Sequence, residues 1–193
     1  MSLSSVLPIR FYSRSPEVVA RELLGKILVR LIDGERLEGK VVETEAYFGE
    51  DDPASRAYKG RKVYNSAMWG ESGHLFIYNV HKYWMLNVVA HLSGGVGGVL
   101  FRAIEPVAGV EEMMRRRPVS DLRELTSGPG KLSLALGVSS ELNGLPVTDA
   151  DCPVHFLNAP PVPGFITSHR IGVTRDLPEE LRFYIDKNRF VSR

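Results

Sequence analysis

The chain reads as an α+β domain built on a curved antiparallel sheet with helices around it. Three observations carry that expectation. Strand-like apolar runs are grouped together, with helical segments inserted beside them rather than alternating one for one. An Asp33-Gly34 pair joins two of these runs, a strong hairpin signal. There are 18 glycines and 12 prolines among 193 residues, which marks many turns and irregular connections. The length suits one domain spanning 1–193. Hydrophobic residues make up 44% and charged residues 24%, ordinary globular usage that excludes bulk disorder. The formal charge is only +1, so the whole molecule is not a polycation and any nucleic-acid site must be a local basic face.

The elements follow in order. Ser15 as N-cap, Pro16 as first helical residue and Gly25 beyond Leu23-Leu24 predict a helix over 16–24, with Val18, Val19, Leu23 and Leu24 as its buried stripe. Strands are expected over 26–31 and 37–47, on either side of the Asp33-Gly34 turn. Residues 48–73 are polar, with little periodicity, and a loop of that length in a small domain is usually functional. Next comes a hairpin, with strands His74–Val80 and Tyr83–His91 around a polar His81-Lys82 tip. After the glycine-rich turn 93–98, a strand runs over Val99–Glu105, stopped by Pro106. Short helices are expected over 109–117 and 130–136, and short strands with proline-rich loops fill the remainder to Val191. No apolar run approaches the roughly 18 residues that cross a bilayer. Met1–Ser5 lacks the features of a secretory leader. Cys152 is the only cysteine, which excludes an internal disulfide and fits a reducing compartment.

Four segments carry possible chemistry. Strand alternation over 41–47 puts Val41, Glu43, Glu45 and Tyr47 on one face. Two carboxylates and an aromatic there make either a solvated face or a site. Arg102 is one charge in an apolar strand and needs a carboxylate or an anionic ligand; Glu43 and Glu45 are its candidate partners. The hairpin carries Phe76, Tyr78, Tyr83 and Trp84 below a tip of Val80, His81 and Lys82, so it either packs in the core or stacks on bases and enters a groove. Ser127-Gly128-Pro129-Gly130-Lys131 precedes a helix and offers either an ordinary turn or a backbone grip on phosphate; Leu132 excludes a Walker A loop. The five histidines show no metal-ligand spacing, and neither metal nor cofactor is expected.

Together these segments resemble the alkyladenine (3-methyladenine, methylpurine) DNA glycosylase family over nearly the whole chain, from about Phe11 to Ser192. The likeness rests on nine blocks in order, among them Val42–Tyr47, Asp52–Ser55, His74–Tyr78, Leu86–Val89, Leu100–Pro106, Ser127–Leu132, Arg170–Val173 and Leu181–Tyr184. The resemblance implies that Glu45 is the general base and that Tyr47 and Tyr78 sandwich an everted base. It further implies that Asn87 excludes guanine and that Arg102 and a main-chain carbonyl near Ile171 position the water. Ser127, Gly128, Gly130 and Lys131, at the glycine-rich helix start, are the expected grip on the DNA backbone.

Two departures stand out. Arg56 occupies the position of a family histidine, which keeps the backbone contact but repels cationic lesions and weights the reading toward neutral hypoxanthine. The hairpin is one residue shorter, with Val80, His81 and Lys82 in place of an intercalating tyrosine. The expectation is a monofunctional base-excision glycosylase without lyase activity. It would act as a monomer on double-stranded DNA containing a damaged purine, in the cytoplasm or nucleoid and not at a membrane. The alternatives are a non-catalytic module that grips damaged or bent DNA and an RNA-directed nucleobase hydrolase or binder.

Overall fold

The computed structural model describes residues 5–192, so most of the Met1–Ser5 segment lies outside the described residues. A short helix α1 (Ile9–Tyr12), absent from the sequence reading, precedes α2 (Pro16–Leu23). Helix α2 ends at a left-handed glycine, Gly25, with φ 83°. Its buried residues are Pro16, Val19, Ala20 and Leu23, an i, i+3, i+4, i+7 stripe. Val18 falls off that stripe and is exposed, contrary to expectation. Ser15 sits at the cap position, but its side chain makes no capping bond.

The sheet comprises β1 (Ile27–Ile32), β2 (Glu35–Tyr47), β3 (Leu75–Val80), β4 (Tyr83–Val89), β5 (Gly98–Ala108), β6 (Val154–Leu157), β7 (Ile166–Ser168) and β8 (Arg182–Tyr184). All pairings are antiparallel, in the order β3-β4-β5-β2-β1-β6. Strand β2 is the spine. Its first half pairs with β1, residues 43–45 of its second half pair with β8, and β5 runs along its other edge. Strand β5 continues through Pro106, which does not stop it. Pro106 opposes Gly39 beside a register shift, where a missing N–H disturbs the ladder least.

One face of the curled sheet packs against α2, α3 (Val110–Arg116) and α4 (Pro129–Ala135). Val19, Leu23, Leu28, Phe101, Leu132, Phe156 and Phe183 form that core, with Phe101 and Phe156 stacked at 4.8 Å. The 48–73 segment is irregular except for a 3-10 stretch, Val63–Trp69. No helix among the described residues is long and apolar enough to cross a membrane.

Candidate active site

Two bulges aim the charged groups. Val41 opposes Ile104 and Glu43 opposes Ala103, so Val42 is an extra residue on β2; Glu43 and Thr44 then oppose Ala103 and Phe101, so Arg102 is an extra residue on β5. A bulge bends its strand and re-aims a side chain. Here it turns Arg102 onto the carboxylates of β2. The Val42 bulge also corrects the predicted alternation. Val41 joins Ala46 in the main core, whereas Val42 packs with Ala103 and Phe190. Glu43, Glu45 and Tyr47, beyond the bulge, remain on one side.

Glu45 is wholly buried. Its Oε1 accepts the Ile171 N–H at 2.7 Å and lies 3.2 Å from Nη1 of Arg102, while Oε2 accepts the Tyr47 hydroxyl at 2.7 Å. Burial pushes its pKa up; Arg102, the Ile171 N–H and the Tyr47 hydroxyl pull it back, and Glu43 adds to the rise. Glu43 is equally buried. Its Oε1 accepts from Arg102 Nε (2.9 Å), Arg182 Nε (2.6 Å) and Ser192 Oγ (2.8 Å), and its Oε2 accepts the Ser192 N–H (2.6 Å). Arg102 therefore spans both glutamates. Burial opposes its charge, but Glu45 and Glu43 more than offset that and keep it protonated.

A cleft of about 720 Å³ opens above this cluster, lined in part by Tyr47, Tyr78, Met85, Leu100, Arg102 and Ile171. Glu45 lies just beneath its floor, behind the residues that hold it. Asn87 faces an inner recess with Tyr47, Phe76 and Tyr78, its amide donating to the Phe76 and Met85 carbonyls. The Tyr78 ring stacks on Phe76 at 5.0 Å, and the Arg56 guanidinium lies 4.7 Å over the Tyr78 ring. Burial raises the Tyr78 pKa and Arg56 lowers it.

The hairpin turns in two residues, with His81 in the left-handed region at φ 54°, a conformation histidine tolerates better than most residues. Val80 and His81 border a second cleft of about 660 Å³, together with Ser127, Gly128, Gly130 and Lys131. Gly130 lies against the Tyr83 ring, where a Cβ would sit 3.0 Å from ring carbon. Lys131 is paired to Glu124. Lys82 projects its ammonium over Tyr83 at 5.5 Å.

Arg170 was not singled out by the sequence reading. Its side chain is fully buried, forked onto Asp52 at 2.6 and 2.7 Å, bonded to Asp176 and the Ala46 carbonyl, and 4.5 Å behind the Tyr47 ring. It thus ties the 48–60 loop and the 170–177 segment to the end of β2. The adjoining Ile171 peptide is the one that holds Glu45. Asp52 and Arg170 are 118 residues apart, so no local pattern could have paired them. Leu100 and Met85 in the cleft wall and Ser192 behind Arg102 were missed for the same reason. No group of three or more potential metal-ligating side chains occurs among the described residues.

Comparison with known proteins points the same way. The family model described as methylpurine-DNA glycosylase matches residues 10–189. A protein of Aeropyrum pernix is 44% identical, covering 99% of this chain and 95% of that protein. Relatives in Chlorobaculum parvum (41%, covering 94% and 88%) and Methanoculleus marisnigri (38%, covering 97% and 98%) are similarly close. All three carry the provisional name 3-methyladenine DNA glycosylase. With a bulge-aimed arginine beside a buried glutamate beneath a cleft, and this match over nearly its whole length, the chain belongs to the methylpurine-DNA glycosylase family.

Proposed function

We propose that the protein is a monofunctional DNA glycosylase that hydrolyses the N-glycosidic bond of a damaged purine in double-stranded DNA. The observation that carries this is Glu45, held by Arg102 and the Ile171 peptide just behind the floor of a cleft of about 720 Å³. The target C1′ is shielded inside the duplex, so the nucleotide is everted, at a cost of about a few kcal/mol that is least for damaged or mispaired bases. The Val80–Lys82 tip enters the minor groove, with His81 as the wedge in the vacated stack. Tyr47 and Tyr78 flank the everted base, each aromatic contact contributing about 1–3 kcal/mol, and Asn87 lies at its inner edge. Ser127, Gly128, Gly130 and Lys131 face the DNA backbone.

Oε1 of Glu45 is occupied by Ile171 and Arg102. Among the described residues Oε2 has one partner, the Tyr47 hydroxyl, and it takes the proton once a water replaces that hydroxyl. The water oxygen bonds to C1′ as the C1′–N9 bond breaks; the electron pair leaves with the base and the water proton passes to Glu45. The carboxylate charge also stabilises an oxocarbenium-like state, as in glycoside hydrolysis. The raised pKa of Glu45 suits a group that accepts a proton near neutrality. Hypoxanthine is the favoured lesion, because the Arg56 guanidinium over Tyr78 repels cationic 3-methyladenine and 7-methylguanine more than a neutral base. The protein works as a monomer without a cofactor, in the cytoplasm on nucleoid DNA.

Single-turnover assay on a hypoxanthine-containing duplex tests the reading. Free base and an abasic strand that stays intact until alkali are expected. Strand cleavage without alkali would point to an amine nucleophile such as Lys59 or Lys62 on the cleft rim. Tight binding without base release would identify a non-catalytic damage-binding module.

A further inference from the structure

The second cleft is unlike the first. Arg117, Arg123, Lys131 and Arg189 line it, against one carboxylate, Glu124. In a chain whose formal charge is only +1, this is a marked local excess. Two of the cations are already engaged, Lys131 by Glu124 and Arg123 by Asp121. Arg117 and Arg189 pair with no carboxylate among the described residues; Arg189 rests 5.1 Å over the Phe190 ring. Tyr83, Leu134 and Val191 add an apolar wall, with Leu134 43% exposed. The two clefts adjoin, with Val80, Met85, Arg102 and Pro129 in the walls of both.

An everted nucleotide seated over Glu45 leaves its sugar beside Arg102, the residue at the junction. Its strand must then pass from the first cleft into the second. Cations around an apolar wall match the two chemistries of that strand, phosphate oxygens and sugar carbons. Within that backbone-facing cleft, we propose that Glu124 is an internal competitor that holds Lys131 until a phosphate displaces it, and that the unpaired Arg117 and Arg189 are the cations that first meet the strand. This rests on the glycosylase reading and adds to it a built-in brake on binding. The brake has a physical use. A lysine pre-paired with a carboxylate gains less on meeting any phosphate, which weakens residence on undamaged DNA.

Fluorescence anisotropy tests it on labelled undamaged and hypoxanthine-containing duplexes, titrated at several stated salt concentrations. Base release is measured in parallel at saturating enzyme, so a failure of the glycosylase reading is seen separately from a failure of strand binding. Glu124→Gln should tighten binding of both duplexes by about two- to fivefold, the scale of one exposed ion pair. That gain should vanish in a Lys131→Ala background, which separates competition for Lys131 from general repulsion. Arg189→Ala and Arg117→Ala should weaken both duplexes alike and each reduce the salt slope by about one. All four side chains lie on the surface or cleft wall, so thermal melts should confirm folded variants. The proposal is overturned if Glu124→Gln binds no tighter, if its gain survives without Lys131, or if both arginine variants keep the wild-type salt slope.

Discussion

Glu43 and Glu45 lie two residues apart, both wholly buried and both beside Arg102, yet the same substitution should affect them in opposite ways. In Glu43→Gln the amide oxygen can still face Arg102, Arg182 and Ser192 Oγ, but the amide nitrogen then meets the Ser192 backbone N–H, donor against donor. Flipping the amide is worse, since it turns NH₂ toward three donors. The two guanidiniums also lose a shared counter-charge in a buried site. Removing one partner of such a pair costs about 3–5 kcal/mol, which in a chain of this size lowers Tm by about 6–20 °C.

Glu45→Gln creates no such donor clash, and Arg102 keeps Glu43 as a counter-charge. The amide oxygen can accept from Ile171 and Arg102 while NH₂ donates to the Tyr47 hydroxyl, which rotates to accept. The folded pKa of Glu45 is raised above its unfolded value. Its contribution to stability is therefore present below the unfolded pKa and lost as pH rises through the folded one. At neutral pH an uncharged amide escapes that loss, so the melting temperature should hold or rise. Base release should fall by about 10²–10⁴-fold, the general-base contribution, while lesion binding is kept. Urea titrations with unchanged m-value, paired with single-turnover excision at saturating enzyme, read both effects. Equal destabilisation by the two variants, or excision by Glu45→Gln within tenfold of wild type, would refute the division of roles.

The remaining expectations concern tuning of the same cleft. Because burial raises the Glu45 pKa, excision should rise with pH through a limb above the ordinary glutamate range, measured as the single-turnover rate against pH. Arg170→Lys keeps the charge but loses the two-pronged contact with Asp52 and the packing behind Tyr47; the loosened Ile171 N–H then supports the Glu45 carboxylate less, and the limb should move to higher pH. An unchanged limb with a lowered melting temperature would leave Arg170 a purely structural role. Arg56→His should shift the ratio of 3-methyladenine to hypoxanthine excision toward the cationic lesion, and an unaltered ratio would remove Arg56 from selectivity.

How much of this was legible depends on the range over which each feature is decided. Helix α2 and its stop at Gly25, the Asp33-Gly34 hairpin and the His81-Lys82 tip follow from residues within a few positions of one another. So does the shared side of Glu43, Glu45 and Tyr47, because a two-residue period needs no partner strand. The errors lie where packing overrules local pattern. Val18 is apolar but off the helical stripe that the sheet covers, and Pro106 is tolerated beside a register shift. Val41 and Val42 exchange faces because a bulge inserts one residue into the alternation.

By itself, then, the sequence determined the element types, the candidate glutamates and arginine, and the family likeness, all carried by near-neighbour chemistry and ordered motifs. Only the tertiary structure decided that Arg102 is the extra residue of a bulge, that Arg170 locks Asp52 behind Tyr47, and that Ser192 closes onto Glu43. Those contacts join residues 59 to 149 positions apart. Their existence depends on strand register and on the desolvation of charges that must then find partners, and neither is encoded in any short stretch of chain.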